Sequence, residues 1–137
     1  MDVSNLFHLY NQKARLLSKA LNETLETFGL YASQWTILYT LYHKGPMIQT
    51  DIWRYLQVEA PTVTRTLTRM EKAGWVIRRD GTDKREKVIE LTNQAIHKYP
   101  EIKEAIRSKE NQFISALSNQ ELDQLRNILE KLYIEGE

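Results

Sequence analysis

The 137-residue chain contains no cysteine. That excludes disulfides, cysteine-ligated zinc, iron–sulfur clusters, a thiol nucleophile and any thiol-based redox sensor. Glycine and proline are scarce, at five and three residues, and are scattered singly. No glycine-rich loop that could cradle a phosphate is therefore present. No run approaches about 18 consecutive apolar residues, so no transmembrane helix is expected. The opening MDVSNLFHLYNQKAR lacks the basic start and apolar stretch of a signal peptide, and a cytoplasmic location is expected. Histidine is rare too. His8, His43 and His97 fall on three separate predicted helices with no HxxxH or HExxH spacing, so no metal site and no cofactor are expected. Nothing supplies the paired roles of a catalytic site, and the reading is that of a non-enzyme.

What is present is an ordinary globular composition, 42% apolar and 27% charged, which argues against a disordered chain. The length suits one domain, residues 1–137. Net charge is only +1, but its distribution is uneven. Between Ala60 and Lys87 eight basic residues (Arg65, Arg69, Lys72, Arg78, Arg79, Lys84, Arg85, Lys87) face four acids (Glu71, Asp80, Asp83, Glu86). The segment carries +4 and leaves −3 for the remainder. Such focusing fits a polyanion-binding face; a solvated charged surface is the plain alternative.

Hydrophobic periodicity predicts a mainly helical chain. Leu6, Leu9, Leu16, Leu17, Leu21, Leu25 and Phe28 recur at three- and four-residue steps, giving one helix from Val3 to Phe28 stopped by Gly29. Ser33 reads as the N-cap of a second helix that ends near His43, before Gly45-Pro46. A short helix spans Gln49 to Leu56. Another spans Ala60 to Lys72, with Pro61 in its first turn and Ala73-Gly74 at its end. Trp75–Arg79 and Lys87–Leu91 are β-type runs around a polar loop, a two-stranded hairpin. A helix from Thr92 to about Leu117 should be kinked by Pro100 or begin there. Ser118-Asn119-Gln120-Glu121 is a capping box that opens a last helix bearing Leu122, Leu125, Ile128, Leu129 and Leu132.

This order gives a mainly α fold with a small β-hairpin wing: a winged helix–turn–helix flanked by long terminal helices. A 26-residue helix is about 39 Å long, whereas a compact chain of this size has a radius of gyration of about 14 Å. The terminal apolar stripes would project from a monomer, and a homodimer that buries them is expected.

On the helix from Ala60, Val63, Leu67 and Met70 share the inward face. Pro61, Arg65, Thr68, Arg69 and Lys72 take the opposite side, flanked by Thr62 and Thr64. Arginine can pair bidentately with guanine, and threonine can contact base edges or a thymine methyl. Lys72 and Arg69, late in the helix, suit phosphates. Threonine is a mediocre helix former, so four between positions 62 and 68 need a reason, and base contact is one. In the hairpin loop, Asp83 can orient Arg85 for a narrow minor groove. Lys84 and Lys87 add charge beside it. On the second helix Trp35, Tyr39 and Tyr42 form one stripe, and Ile37, Leu38 and Leu41 another. Such a helix should be covered on two sides.

These motifs, in this order, resemble the MarR (multiple antibiotic resistance regulator) family of transcription factors. The matching residues are Leu30-Tyr31-Ala32-Ser33-Gln34-Trp35, Gly45-Pro46, Pro61-Thr62-Val63-Thr64-Arg65-Thr66-Leu67, Met70-Glu71-Lys72-Ala73-Gly74-Trp75-Val76, Asp83-Lys84-Arg85 and Val88-Ile89-Glu90-Leu91-Thr92. The resemblance implies dimerisation helices over residues 1–30 and 93–137 around a winged DNA-binding region at 31–92. It implies repression at an inverted-repeat operator on double-stranded DNA, with release by a small aromatic effector. It places base reading on Pro61, Thr62 and Arg65, groove insertion on Arg85, and an effector pocket beside the second helix. Arg15, Trp35 and Tyr39 are the candidate lining of that pocket, with plain core packing the favoured reading for Trp35 and an equal alternative for Tyr39. The chain departs from the pattern at Ile48 and Glu59, where Ser or Thr usually caps, and at Gln57 and Trp53, where Gly and a small residue are usual. A winged-helix module that binds an acidic protein is the alternative reading; the basic helix face and basic wing favour DNA.

Overall fold

The structure, a computed structural model, describes residues 2–133. Its elements are α1 (Val3–Leu25) with a closing 3₁₀ turn at Glu26–Phe28, α2 (Ala32–Lys44), β1 (Met47–Ile48), α3 (Gln49–Leu56), α4 (Ala60–Lys72), β2 (Val76–Asp80), β3 (Lys87–Leu91), α5 (Asn93–Phe113) and α6 (Asn119–Lys131). The expected winged helix–turn–helix between long helices is present. Residues 134–137, assigned to the C-terminal dimerisation segment from sequence, lie outside the described residues.

The core runs through every layer of the winged region. Leu38 of α2, Ile52 of α3, Leu67 and Met70 of α4, Ile89 of β3, and Ile102 and Ile106 of α5 are all fully buried. On α4 the predicted inward set, Val63, Leu67 and Met70, is the buried set. On α5, Ala95, Tyr99, Ile102 and Ile106 make the helical stripe that seats this element on the core. The ends of the chain differ. Residues 2–16 are exposed throughout, and α6 buries no residue.

Four expectations need correction. Helix α2 starts at Ala32, with Tyr31 and not Ser33 at the cap. The cause is tertiary: Asn22 Oδ1 accepts from the Ala32 N–H at 2.6 Å, and Gln34 Oε1 accepts from the Tyr31 N–H at 3.1 Å. The wing is not two-stranded. Met47 and Ile48 pair antiparallel with Ile89 and Val88, giving the order β1-β3-β2. β2 itself begins at Val76, one residue after Trp75. Helix α5 runs through Pro100 from a Thr92 cap, so proline is not its start, and it ends at Phe113 rather than Leu117. Ser118 must be extended (φ −75°, ψ 164°) to close its capping box with Glu121, so the chain turns before it.

Candidate nucleic-acid interface

Helices α3 and α4 meet across a tight turn at Gln57, which is left-handed (φ 57°, ψ 42°). Glycine reaches this region without strain, whereas an L side chain pays for it. Here Gln57 Nε2 donates back to the Arg54 carbonyl at 2.7 Å. The caps at Ile48 and Glu59 make no side-chain hydrogen bond. The departures noted in sequence thus leave both helix N-termini without a side-chain acceptor, yet the angle between the helices is held by the core under Ile52 and Val63.

The outer face of α4 presents Pro61, Arg65, Arg69 and Lys72, all exposed. None of these three cations has an acidic partner among the described residues, and neither has Lys84 of the wing. Arg65 Nη2 approaches Thr62 Oγ1 at 3.4 Å. The threonines are more engaged than a bare contact face would require. Hydroxyls of Thr64, Thr66 and Thr68 donate to the carbonyls four residues back, at 2.9 Å each. Thr64 Oγ1 also accepts from Gln49 Nε2 at 2.9 Å, which ties the start of α3 to α4. Back-bonding inside the helix is therefore a second reason for the threonine cluster.

In the wing, Gly81 N–H donates to the Glu86 carbonyl at 2.9 Å, and Lys87 pairs with Asp80 at the base of the loop. Near the tip, Asp83 holds Arg85 through Oδ2 and Nη2 at 2.9 Å. That bond, together with one from the Arg85 backbone N–H, holds the Asp83 carboxyl below its ordinary 3.8. The Arg85 guanidinium is in turn held further above its usual range, first by Asp83. Arg79 is tied to Glu90 at 3.4 Å on the other side of the hairpin.

Sequence reasoning did not single out Gln49 or Arg78. Arg78 leaves β2 and donates through Nη2 to the Thr64 carbonyl and to Thr68 Oγ1, both at 3.1 Å. Thr68 is consequently half-buried rather than outward.

Within the described residues of one chain, Arg15, Trp35 and Tyr39 do not line a common cleft. Trp35 is buried and stacked on Tyr99, with ring centroids 5.4 Å apart, so it belongs to the core. Arg15 lines a shallow cleft of about 450 Å³ on α1 with Lys19, Asn22, Glu26 and Tyr31, and Tyr39 is not in it. Tyr39 is half-exposed, packed on His43 (4.4 Å between ring centroids) with the Lys103 ammonium 5.1 Å from its ring. Helical spacing fixed the face of each residue but not the neighbour it would meet.

A helix–turn–helix whose second helix bears unpaired cations, beside a hairpin ending in an oriented arginine, defines a winged helix–turn–helix. Comparison with known proteins narrows the class. A model described as MarR family matches residues 30–87. The chain is 60% identical over 98 residues, 72% of each chain, to the uncharacterized HTH-type transcriptional regulator YwoH of Bacillus subtilis (strain 168). Among solved structures it is similar to reduced AbfR bound to DNA, with 31% identity, a TM-score of 0.76, and coverage of 93% of this chain and 88% of that one. It shares the fold of a mutant MarR from E. coli complexed with operator DNA, with a TM-score of 0.89 at 21% identity over 97% and 96% of the two chains. The chain belongs to the MarR family. Among the described residues no helix is long and apolar enough to cross a membrane.

Proposed function

We propose that this protein is a homodimeric, sequence-specific DNA-binding regulator that represses transcription at a pseudo-palindromic operator in the cytoplasm. The observation that carries the reading is the pairing of two cationic elements. The exposed face of α4 offers Arg65, Arg69 and Lys72 without acidic partners among the described residues, and the wing offers Arg85 already oriented by Asp83. One suits a major groove and the other a narrow minor groove. The DNA-bound structures of AbfR and MarR support the same reading.

Dimerisation follows from what one chain leaves uncovered. Leu6, Phe7, Leu9 and Leu16 on α1, with Leu125, Ile128 and Leu129 on α6, are exposed apolar side chains on two helical faces. Stripes of this extent are normally covered, and two-fold pairing covers both at once. Response to a small aromatic anion is part of the proposal; Tyr39, with His43 and Lys103 beside it, is the seat the contacts favour over Arg15.

The test is fluorescence anisotropy against the DNA upstream of the protein's own gene, and selection on random DNA. Binding should weaken with salt by about 0.9 log units per log unit for each phosphate neutralised. Selected sites should be inverted repeats with half-sites about one helical turn apart. A flat salt response, or failure to enrich any sequence, overturns the reading. Titration with phenolic acids tests the effector; unchanged operator affinity removes it.

A further inference from the structure

Arg78 occupies a place that its neighbours on the strand do not explain. Arg79, the next residue, reaches outward to Glu90. Arg78 points the other way, on the face shared with buried Val76 and, across the strand pair, with buried Ile89. A charged side chain there loses hydration, and its Nε is in fact buried without a hydrogen-bond partner among the described residues. Solvent lies close by, since the residue is only partly covered. The guanidinium nevertheless turns inward and commits Nη2 to two groups of α4, the Thr64 carbonyl and the Thr68 hydroxyl.

Those two acceptors are already tied together. Thr68 Oγ1 donates to the same Thr64 carbonyl at 2.9 Å, and Thr64 Oγ1 accepts from Gln49 at 2.9 Å. Thr64 is thus a node joining α3, α4 and β2, and among the described residues the arginine is the one hydrogen-bonded link that reaches it from the wing. Of the two groups proposed to read DNA, Arg65 adjoins this node and Arg85 sits at the far end of the hairpin that Arg78 anchors. Both bonds come from the one nitrogen, Nη2, which the planar guanidinium holds in a fixed orientation, whereas a lysine ammonium on a flexible stem lacks that rigidity.

We propose that Arg78 is a positioning residue that fixes the wing relative to the recognition helix, so that Arg65 and Arg85 engage adjacent grooves together. The inference rests on the DNA-binding reading, but its first test uses no DNA. Because the chain has no cysteine, Lys72→Cys and Thr82→Cys provide the only two attachment points per chain for spin labels on α4 and on the wing loop, and mixing labelled chains with an excess of unlabelled ones isolates the distance within one protomer. The distance distribution between labels on α4 and on the wing should be narrow in the parent. It should broaden and shift in Arg78→Gln, and broaden less in Arg78→Lys. An unchanged distribution in a folded Arg78→Gln variant overturns the proposal. If Arg78→Gln does not fold, as judged by circular dichroism, Arg78→Lys carries the same test, and a distribution matching the parent is again fatal.

The second test is a double-mutant cycle on operator DNA. Arg78→Gln alone should weaken binding on the order of tenfold, as expected for coupled neighbours. In an Arg85→Ala background the same change should cost little and leave the salt slope unaltered. A full cost there, with a slope lower by about 0.9, would mean that Arg78 contacts a phosphate itself, and the positioning role would be wrong. Were the parent protein to bind no DNA, the function proposed above would fail while the label distances still decided the role of Arg78.

Discussion

Asp83 grips Arg85 from two directions. Its Oδ2 accepts from Nη2 at 2.9 Å, and its Oδ1 accepts from the Arg85 backbone N–H at 3.0 Å, while the arginine side chain stays 90% exposed. The guanidinium is therefore aimed without being buried. Asp83→Ala removes a negative charge from the proposed DNA face, and charge arithmetic alone expects tighter binding. The expected outcome is weaker operator binding in anisotropy titrations at fixed salt, because the aim of Arg85 is lost. Tighter binding would mean that the loop is only a basic hairpin. The pH dependence has a definite sign. A carboxyl whose pKa is depressed in the fold keeps its pairing fully above 3.8 and loses it as pH falls through the lower folded value. NMR should show the Asp83 carboxyl titrating below 3.8, with its midpoint moving up in Arg85→Ala.

Arg65 and Lys72 should fail in different ways. Arg65→Ala should cost about 1–3 kcal/mol and relax base preference at one position in each half-site. Lys72, in the last turn of α4, should behave as a phosphate contact. Lys72→Ala should weaken all sequences about equally and reduce the salt slope by about 1 per contact. Selection on random DNA with each variant separates the two.

Removal of residues 121–137 takes away Leu125, Ile128 and Leu129, which are exposed in the single chain. Sedimentation should show dissociation or aggregation of the truncated protein. A folded dimer of undiminished affinity would exclude α6 from the proposed interface.

Gln57 carries a left-handed backbone and pays for it with one hydrogen bond to the Arg54 carbonyl. Gln57→Ala keeps the strain and loses the bond, and should destabilise the protein by about 1 kcal/mol in urea denaturation. Gln57→Gly loses the same bond and loosens the unfolded chain but relieves strain of about 1–2 kcal/mol, so it should be more stable than Gln57→Ala. Equal stability of the two variants would show that the turn is not strained.

Burial, with smaller contributions from Tyr39, Tyr42 and Glu110, pushes the Tyr99 phenol up to about 12. Its pKa is raised in the fold, so the associated stability is complete below pH 10.0 and is lost as pH rises toward about 12. Ultraviolet titration should show one late phenolate, absent from Tyr99→Phe. That variant also loses the 3.2 Å contact between the Tyr99 hydroxyl and His43 Nε2.

What could be read from the sequence was what the chain decides locally. Both ends of α4 follow from Pro61 and the Ala73-Gly74 stop, and the start of α6 from the capping box of Ser118 and Glu121. The start of α2 was hidden because the side chain that accepts from its Ala32 N–H is that of Asn22, ten residues upstream and brought near only by packing. β1 was hidden because two residues have no period. Arg78 looked like any strand arginine, since alternation says that it shares a face with Val76 but not that α4 lies over that face. Arg15 and Tyr39 were grouped on helical faces whose partners only the fold decides. The threonine bonds were missed, since base contact was the one reason drawn for the cluster, although any hydroxyl inside a helix can reach the carbonyl four residues back.

Those bonds give the recognition helix a polarity. The hydroxyl protons of Thr64 and Thr68 are turned inward to backbone carbonyls, and one lone pair of each oxygen already accepts from Gln49 or Arg78. What remains for a groove at Thr64, the exposed one of the two, is a single acceptor and a methyl group. Such a surface can take a hydrogen bond from the amino group of adenine or cytosine, or pack on the methyl of thymine, but it has no proton to offer guanine O6 or N7. On the DNA-binding reading, guanine would then fall to the side chains that keep a proton, Arg65 and the Thr62 hydroxyl, which accepts from Arg65 Nη2 and donates to none of the described residues, so the direction of the hydrogen bonds would divide the operator among them.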